Sequence, residues 1–133
     1  MTPIIQQTVR FRATPDLLFE LYVDTRKHSA STGAPAKVSR KVGANYTAFN
    51  GAIHGKNLLV LPAKRIVQLW RAKHWRKEDS SILILTFSRA AGGGQIDLVH
   101  VGVPPYDHQG VREGWPKYYW KPWKKFLAAT ENK

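Results

Sequence analysis

The spacing of apolar residues along the chain predicts one strand, two short helices, a run of strands and a final helix. In the β-prone stretch 4–11, Val9 and Phe11 share one face, which predicts the first strand. Thr14 followed by Pro15 is typical of a helix start, because threonine can accept a backbone hydrogen bond and proline suits the first helical position. The apolar stripe of this helix consists of Leu17, Leu18, Leu21 and Tyr22.

A second short helix is predicted over 25–32, and the turn signal at 33–35 ends it. Beyond Lys37 the apolar period shortens to that of strands, which are separated by stretches rich in glycine, asparagine and proline. Several separators are short enough for hairpins, so the sheet is expected to be largely antiparallel. Six further strands are predicted, at 38–42, 46–49, 54–61, 65–71, 82–87 and 96–103.

The final segment, 106–130, has a helical period and is apolar over much of its circumference. Pro116 is expected near the start of this helix, and Pro122 inside it, where proline should kink the helix. One stripe consists of Trp115, Tyr118, Tyr119, Pro122 and Phe126, and its neighbour of Trp120, Trp123 and Leu127. The economical packing is an α+β fold, a bent antiparallel sheet of about seven strands around this long C-terminal helix.

Length and composition predict a single globular domain over residues 1–133, since 43% of the residues are hydrophobic. The lack of cysteine excludes disulfides, thiolate metal ligands and a cysteine nucleophile, and it suits a cytoplasmic location. The N-terminal residues do not follow the pattern of a secretory signal. No apolar run approaches the roughly 18–20 residues of a membrane span.

The net charge of +12 is the unusual feature of the composition, and it favours acidic partners. Lysines at positions i, i+4, i+7 and i+8 form a basic stripe along the final helix: Lys117, Lys121, Lys124 and Lys125. A solvated helix face explains them most simply, and binding of an acidic protein segment is the second interpretation. Nucleic acid ranks third, because the order of elements matches no recognised RNA- or DNA-binding module.

Local catalytic and metal-binding motifs are missing from the sequence. The five histidines include no pair at metal-ligand spacing, and no serine stands in a nucleophile motif. We therefore expect no metal, no cofactor and no catalysis. His100 lies in an apolar strand, where it is either a core histidine satisfied by its neighbours or a polar group that orients a ligand in a pocket.

Several short phrases carry a resemblance that runs in order from Val9 to Leu127. They are Phe49-Asn50-Gly51, the stretch 53–58, the stretch 64–71, Trp75, Leu85-Thr86-Phe87, the stretch 100–104, and Gly114-Trp115 with 118–122. With these phrases and its order of elements, the chain resembles the activator of heat-shock protein 90 ATPase family. That family lies within the START-like superfamily, also called SRPBCC or birch-pollen-allergen-like.

The resemblance implies a helix-grip fold with an apolar cavity between the sheet and the C-terminal helix. In the eukaryotic co-chaperones such a domain follows a separate N-terminal domain that makes the main chaperone contact, and this sequence contains no such preceding part. The aromatic residues of the final helix are expected either to fill the core or to line the cavity. The candidate cavity residues are Phe49, Leu59, Leu61, Val67, Leu69, Leu83, Leu85, Leu98, His100, Trp115, Tyr118 and Tyr119.

The expected function is therefore non-catalytic binding of a small hydrophobic ligand, with a link to chaperones and the stress response implied by the resemblance. The alternative is a co-chaperone-like module whose basic surface binds an acidic partner such as a chaperone. A cyclase or hydrolase on the same fold ranks last, because it would require a polar cluster around His100. Both a monomer and a homodimer are compatible with the sequence.

Overall fold

Residues 2–131, which the computed structural model describes, form a bent antiparallel sheet with helices on its inner face. The strands are β1 Ile5–Phe11, β2 Asn45–Ala48, β3 Ile53–Leu61, β4 Arg65–Ala72, β5 Ser81–Ala90 and β6 Gly93–Val101. The helices are α1 Pro15–Val23, α2 Thr25–Thr32, α3 His108–Trp115 and α4 Lys121–Glu131, with a 3₁₀ turn Pro105–Asp107 and a π-helical turn Pro116–Trp120. The strand order is β1-β6-β5-β4-β3-β2. The predicted α+β helix-grip plan is confirmed, with six strands in place of about seven.

The two helices after β1 begin and end where their capping residues predict. The Thr14 hydroxyl accepts a hydrogen bond from Leu17 N at 3.2 Å and opens α1. The Asp24 carboxylate accepts from Lys27 N at 2.9 Å and opens α2. Gly33 ends α2 in the left-handed conformation, with a φ of 79°.

The strand predicted at 38–42 is wrong, because this stretch is pinned as a turn. Only Lys37 makes an isolated bridge, to Thr47. The buried Asn57 amide on β3 donates to the carbonyls of Ser39 and Lys41 at 2.8 and 3.1 Å. These bonds use the carbonyls that a strand would present to its neighbour, so pairing stops here.

A chain of buried hydrogen bonds ties this turn to the first helix. Tyr22 of α1 donates its hydroxyl to the side-chain oxygen of Gln68 at 2.8 Å, and the Gln68 amide donates to Asn57 at 2.9 Å. Each of these polar groups has a partner, so burying the chain of amides is tolerated. The network joins the C-terminal end of α1 to β4 and, through Gln68, to β3.

The C-terminal helix, residues 108–131, contains a wider turn where the sequence predicts a kink. The helix begins at His108, so Pro116 lies inside it and opens the π-helical turn. Lys121 N bonds Pro116 O, five residues earlier. Because Pro122 has no N–H and its ring crowds the preceding turn, a wider turn just before it relieves the clash.

Trp123 of α4 lies at the centre of the core and is fully buried. Four aromatic rings surround it at centroid distances of 5.8 to 6.5 Å: Phe11, Tyr22, Tyr119 and Trp120. They come from β1, α1 and the C-terminal helix itself. This aromatic cluster fastens the long helix across the sheet.

Gly55 of β3 lets the β2–β3 hairpin pack closely on β4. The Tyr46 hydroxyl crosses over Gly55 and donates to Leu69 O at 3.0 Å. A Cβ at position 55 would lie 1.8 Å from Leu69 O and 2.8 Å from the Tyr46 hydroxyl. Only glycine leaves space for this contact, which positions the hairpin that carries Phe49.

We predict that Gly55→Ala destabilises the fold by about 2–3 kcal/mol. The added methyl group would collide with the backbone of Leu69 and force the paired strands β3 and β4 apart. Urea unfolding followed by far-ultraviolet circular dichroism measures the change. Gly114→Ala is the control, because a Cβ there lies 3.5 Å from the nearest atom, an ordinary contact. That variant should be as stable as the wild type or more so; a Gly55→Ala protein of wild-type stability would contradict the prediction.

Candidate ligand-binding pocket

An open pocket of about 420 Å³ lies between the C-terminal helix, the β2–β3 turn and the end of β4. Its mouth is bounded by exposed residues, among them Tyr118, which is 50% exposed. The lining residues are Phe49, Ala52, Ile53, Trp70, Ala72, His74, Asp107, Gly110, Val111, Gly114, Trp115, Tyr118 and Tyr119. Most of these side chains are apolar or aromatic, which is typical of small-molecule sites.

Two glycines on the C-terminal helix create the space. The helix presents one stripe to the pocket, at 110, 111, 114, 115, 118 and 119. Gly110 and Gly114 have no side chain to fill the gap between helix and sheet, while Trp115, Tyr118 and Tyr119 form the wall. Glycine inside a helix costs about 0.5–1 kcal/mol relative to alanine. A Cβ at Gly110 would lie 2.7 Å from Asp107 Oδ1, whereas one at Gly114 would make only ordinary contacts. At Gly114 the gap is therefore kept at the expense of helix stability.

Phe49 closes the pocket on the side of the hairpin, and its backbone is strained. Its φ is 51°, a left-handed conformation that costs an ordinary residue roughly 1–2 kcal/mol. Its ring lies edge-on to Tyr118 and Tyr119, at centroid distances of 5.8 and 5.2 Å. Asn50 N bonds Pro35 O at 2.8 Å and holds the turn in place. Strain of this kind is most often found at functional sites.

The polar groups of the pocket lie together on one side. Asp107 Oδ2 accepts from the indole N–H of Trp75 at 2.7 Å and lies 3.2 Å from His74 Nε2. The His74 side chain is 68% exposed, while that of Asp107 is 20% exposed. A ligand in the pocket would thus meet aromatic rings along its length and one polar pair at its rim.

Beneath the pocket wall, His100 anchors the C-terminal helix to the sheet. The Ser81 hydroxyl donates to Trp70 O at 2.7 Å, so it accepts from His100 Nε2 at 2.8 Å. On the other side of the ring, Trp115 Nε1 donates to His100 Nδ1 at 3.2 Å. Both ring nitrogens are therefore engaged in the neutral form. Burial lowers the pKa of His100 to about 3, with a smaller contribution from His108.

A second buried histidine fixes the pocket residue Tyr119. His28 Nδ1 donates to Tyr22 O at 2.8 Å, which leaves Nε2 to accept from the Tyr119 hydroxyl at 3.0 Å. Burial lowers the pKa of His28 and raises that of Tyr119. The neutral forms of both groups are thus favoured, as their mutual hydrogen bond requires.

The sequence matches the model of a known protein family. The model described as "Activator of Hsp90 ATPase homolog 1-like protein" matches residues 12–128, most of the chain. The chain belongs to this family. The family resemblance seen in the sequence phrases is thereby confirmed.

The curated relatives of the chain are longer proteins of the same family. The human activator of 90 kDa heat shock protein ATPase homolog 1 is 27% identical over 111 residues, which cover 84% of this chain and 33% of the human protein. The Dictyostelium discoideum homologue is 26% identical over 117 residues, which cover 87% of this chain and 30% of the relative. The chain thus spans about a third of the length of these relatives.

Solved structures show the same fold. An HSP90 activator from Plasmodium falciparum superposes with a TM-score of 0.83 at 22% identity, covering 94% of this chain and 96% of its own. DynU16, from the dynemicin biosynthetic locus, superposes with a TM-score of 0.79 at 16% identity, covering 96% of this chain and 48% of its own. At these identities the likeness establishes the fold alone.

Four of the twelve candidate cavity residues line the pocket of this activator-family domain: Phe49, Trp115, Tyr118 and Tyr119. A second group lies on the inner face but within the packed core: Leu83, Leu85, Leu98 and His100. A third group lies on the outer face of the sheet, away from the pocket: Leu59, Leu61, Val67 and Leu69. Because adjacent strand residues point to opposite faces, an error of one residue in phase moves a whole set across the sheet.

The sequence interpretation missed most of the strand and rim residues of the pocket. The helical stripe through Trp115, continued one turn back, would have found Val111 and the two glycines. Trp70 and Ala72 follow from the strand period once Gln68 is placed inside. For the rim pair, His74 and Asp107, no local signal exists, since 33 positions separate them and only the fold brings them together.

The predicted basic stripe is exposed along the C-terminal helix. Lys117, Lys121, Lys124 and Lys125 are all exposed, and none pairs with an Asp or Glu side chain within residues 2–130. Lys117 lies 5.2 Å above the ring of the pocket residue Tyr118. Lys117 therefore borders the pocket mouth, whereas Lys124 lies 5.8 Å from the centre of the Phe11 ring.

Residues 2–130 bring no three His, Asp or Glu side chains close enough to hold a metal ion. In the same range no helix is long and apolar enough to cross a membrane.

The buried histidines predict that stability falls on acidification. In the unfolded chain His100 binds a proton near its ordinary pKa of 6.5, whereas in the fold it does so only near 3. The contribution of neutral His100 to the free energy of unfolding is therefore fully present above pH 6.5 and is lost as the pH falls toward 3. At pH 5 the loss is about 2 kcal/mol. Urea unfolding at pH 7 and pH 5 checks this, and His28 acts in the same direction.

A His100→Gln variant should show a loss between pH 7 and pH 5 that is smaller by about 2 kcal/mol, whatever its absolute stability. His54→Gln is the matched control, because His54 lies outside the buried networks, and it should retain the full acid effect. Equal losses in the wild type and in His100→Gln would refute the assignment.

Proposed function

We propose that this activator-family chain is a non-catalytic binding domain that holds a small hydrophobic ligand in the pocket between the sheet and the C-terminal helix. The observation that supports this most directly is the open space of about 420 Å³ kept by Gly110 and Gly114. A volume of this size is within the usual range for small-molecule sites. At Gly114 an alanine Cβ would make only ordinary contacts and would stabilise the helix, so the empty space beside Gly114 opposes stability and favours a use.

The lining sets the chemistry of the ligand. Trp115, Tyr118, Tyr119 and Phe49 offer ring faces and edges to a flat apolar body. The Asp107–His74 pair at the rim can bond one polar group of the ligand. We therefore expect an amphipathic molecule with an aromatic or polycyclic body and a single polar end.

Binding is favoured over the cyclase or hydrolase alternative because of the way His100 is engaged. Both of its ring nitrogens are bonded, and its ring does not line the pocket. An acid–base role would need a titratable group in reach of the ligand. An acid–base role would fall to the rim pair, Asp107 and His74. A binding domain needs no such role, so the domain should still bind ligand when His74 is replaced by glutamine.

We predict that Gly114→Leu weakens binding in the pocket. The leucine side chain projects next to Tyr118 and fills the space, so affinity for the neutral apolar dye N-phenylnaphthylamine should fall at least about tenfold. Fluorescence titration of the dye gives the affinity. Gly114→Ala serves as the control, because it adds one methyl group and leaves most of the volume. A Gly114→Leu protein that binds the dye as the wild type does would disprove the proposal.

A second function, interaction with an acidic protein, is supported by the unpaired lysine stripe and by the family. The curated relatives are named as activators of the 90 kDa heat shock protein ATPase. We propose that Lys117, Lys121, Lys124 and Lys125 contact an acidic surface of such a chaperone. The net charge of +12 would accelerate the encounter.

Reversing the four stripe lysines to glutamate is predicted to weaken binding to purified heat-shock protein 90 more than an equal change of charge elsewhere. The matched control replaces four other exposed lysines: Lys27, Lys37, Lys41 and Lys77. Surface plasmon resonance at several salt concentrations separates local contact from general attraction, because salt screens long-range attraction more strongly than close, partly buried charge pairs. Equal losses in the two variants, or no binding by the wild type, would count against the stripe.

A further inference from the structure

The outer face of the sheet carries an apolar band that the helices do not cover. All the helices that pack on the sheet lie against its inner face, while the outer side chains of the central strands are only half-buried. Strand register aligns them in two rows. The first row is Leu59, Val67, Ile84 and Val99, and the second is Leu69, Ile82 and Val101.

Further aliphatic residues extend the band at its ends. Ile4 precedes β1 and is 53% exposed, while Leu58 and Leu61 of β3 are 41% and 42% exposed. A β-bulge between Asn57 and Leu59 turns Leu58 outward beside the first row. Contiguous apolar surface of this kind is often functional.

The dimensions of the band match a helix. Four strands spaced by about 4.8 Å, with the side chains at the ends, give a length of about 20 Å. Two rows about 7 Å apart, with their side chains, give a width of about 10–14 Å. An α-helix has a diameter of about 10 Å, and about 14 residues span 20 Å. The same sheet already packs one helix on its inner face.

Basic residues border the band. Lys56 pairs with Leu69 at the end of the second row. Arg65 lies on the other side of the first row, between its strand partners Leu61 and Thr86. The acidic residue on this face, Asp97, already accepts hydrogen bonds from Thr8 and Gln95 at 2.7 and 3.0 Å. Asp97 keeps its negative charge, but Lys56 and Arg65 outnumber it, so the net charge of these three groups is positive.

We propose that this outer face docks an amphipathic helix of an acidic protein partner. The apolar stripe of the helix lies across the two rows, and carboxylates on its flanks meet Lys56 and Arg65. This surface is on the opposite side of the sheet from the pocket and does not include the lysine stripe. The proposal therefore does not depend on either function proposed above.

A second copy of the chain fits this face less well. Each chain carries a net charge of +12, so face-to-face packing would bring the two basic borders together. The band covers roughly 300 Å² by its length and width, compared with about 800 Å² per partner in a stable interface. A membrane surface also fits less well, because the band contains no tryptophan or tyrosine of the kind that anchors proteins at that boundary.

The test uses a helical peptide of about 16 residues, with leucine at i, i+3, i+4 and i+7 spacing and glutamate on its flanks. A scrambled peptide of the same composition is the control. In two-dimensional NMR, the ordered peptide should shift the amides of β4, β5 and β6, and the scrambled peptide should not. No binding, or shifts confined to the C-terminal helix, would overturn the proposal.

Variants then assign the contact. Ile82→Thr with Ile84→Thr keeps β-branched side chains but removes apolar surface, and it should weaken the peptide about tenfold or more. Lys56→Glu with Arg65→Glu should also weaken it, whereas Lys117→Glu with Lys121→Glu should not. Gly114→Leu should keep full peptide affinity, which separates this face from the pocket.

Two further measurements cover the other occupants. Light scattering should show a mass that is the same for the wild type and for the Ile82→Thr, Ile84→Thr protein. A dimer lost in that variant would assign the face to a second copy and overturn the proposal. Binding to vesicles of phosphatidylserine and phosphatidylcholine, lost in the same variant, would overturn it in favour of a membrane.

Discussion

The grip of the C-terminal helix on the inner face of the sheet is the contact on which the rest of this structure depends. His100 makes it specific, because its neutral ring joins Ser81 and the β4 backbone on one side to Trp115 on the other. Around Trp123, aromatic rings from three elements pack against one another and bury apolar surface. A polar anchor and an aromatic cluster together set the depth and rotation of the helix.

The pocket lies where this packing is incomplete. Along one stripe the helix exchanges side-chain bulk for glycine at 110 and 114, and the π-helical turn brings Tyr118 and Tyr119 onto the same wall. The strained Phe49 closes the hairpin side. These features each cost stability, and the aromatic core and the satisfied buried networks offset the cost. The two faces of the sheet thus differ: the inner face packs against the helices and borders the pocket, and no helix within residues 2–131 covers the outer face.

Much of the fold could be predicted from the residues, whereas little of the site could. The cap at Thr14, the turn at Gly33 and the aromatic period of the last helix are local signals. The structure confirms the helix start, the helix end and the helix that they predict. The stretch 38–42 was misjudged because a distant side chain, Asn57, binds its carbonyls. The structure places Trp115, Tyr118 and Tyr119 of the helix at the pocket, whereas Val67 and Leu69 lie on the opposite face of the sheet. Both faces of the central strands are apolar, so alternation alone could not give the phase.

The sequence by itself determined the class of the molecule, because helix caps, glycine turns and apolar periods depend on neighbours along the chain. Its family was visible in short ordered phrases for the same reason. Only the tertiary structure decided which residues line the pocket, which histidines are buried in the core, and which apolar face of the sheet no helix covers. These outcomes depend on strand register and on contacts between residues far apart in sequence, such as His74 with Asp107 and Tyr119 with His28. No local pattern encodes such contacts, because they exist only once the sheet has closed on its helix.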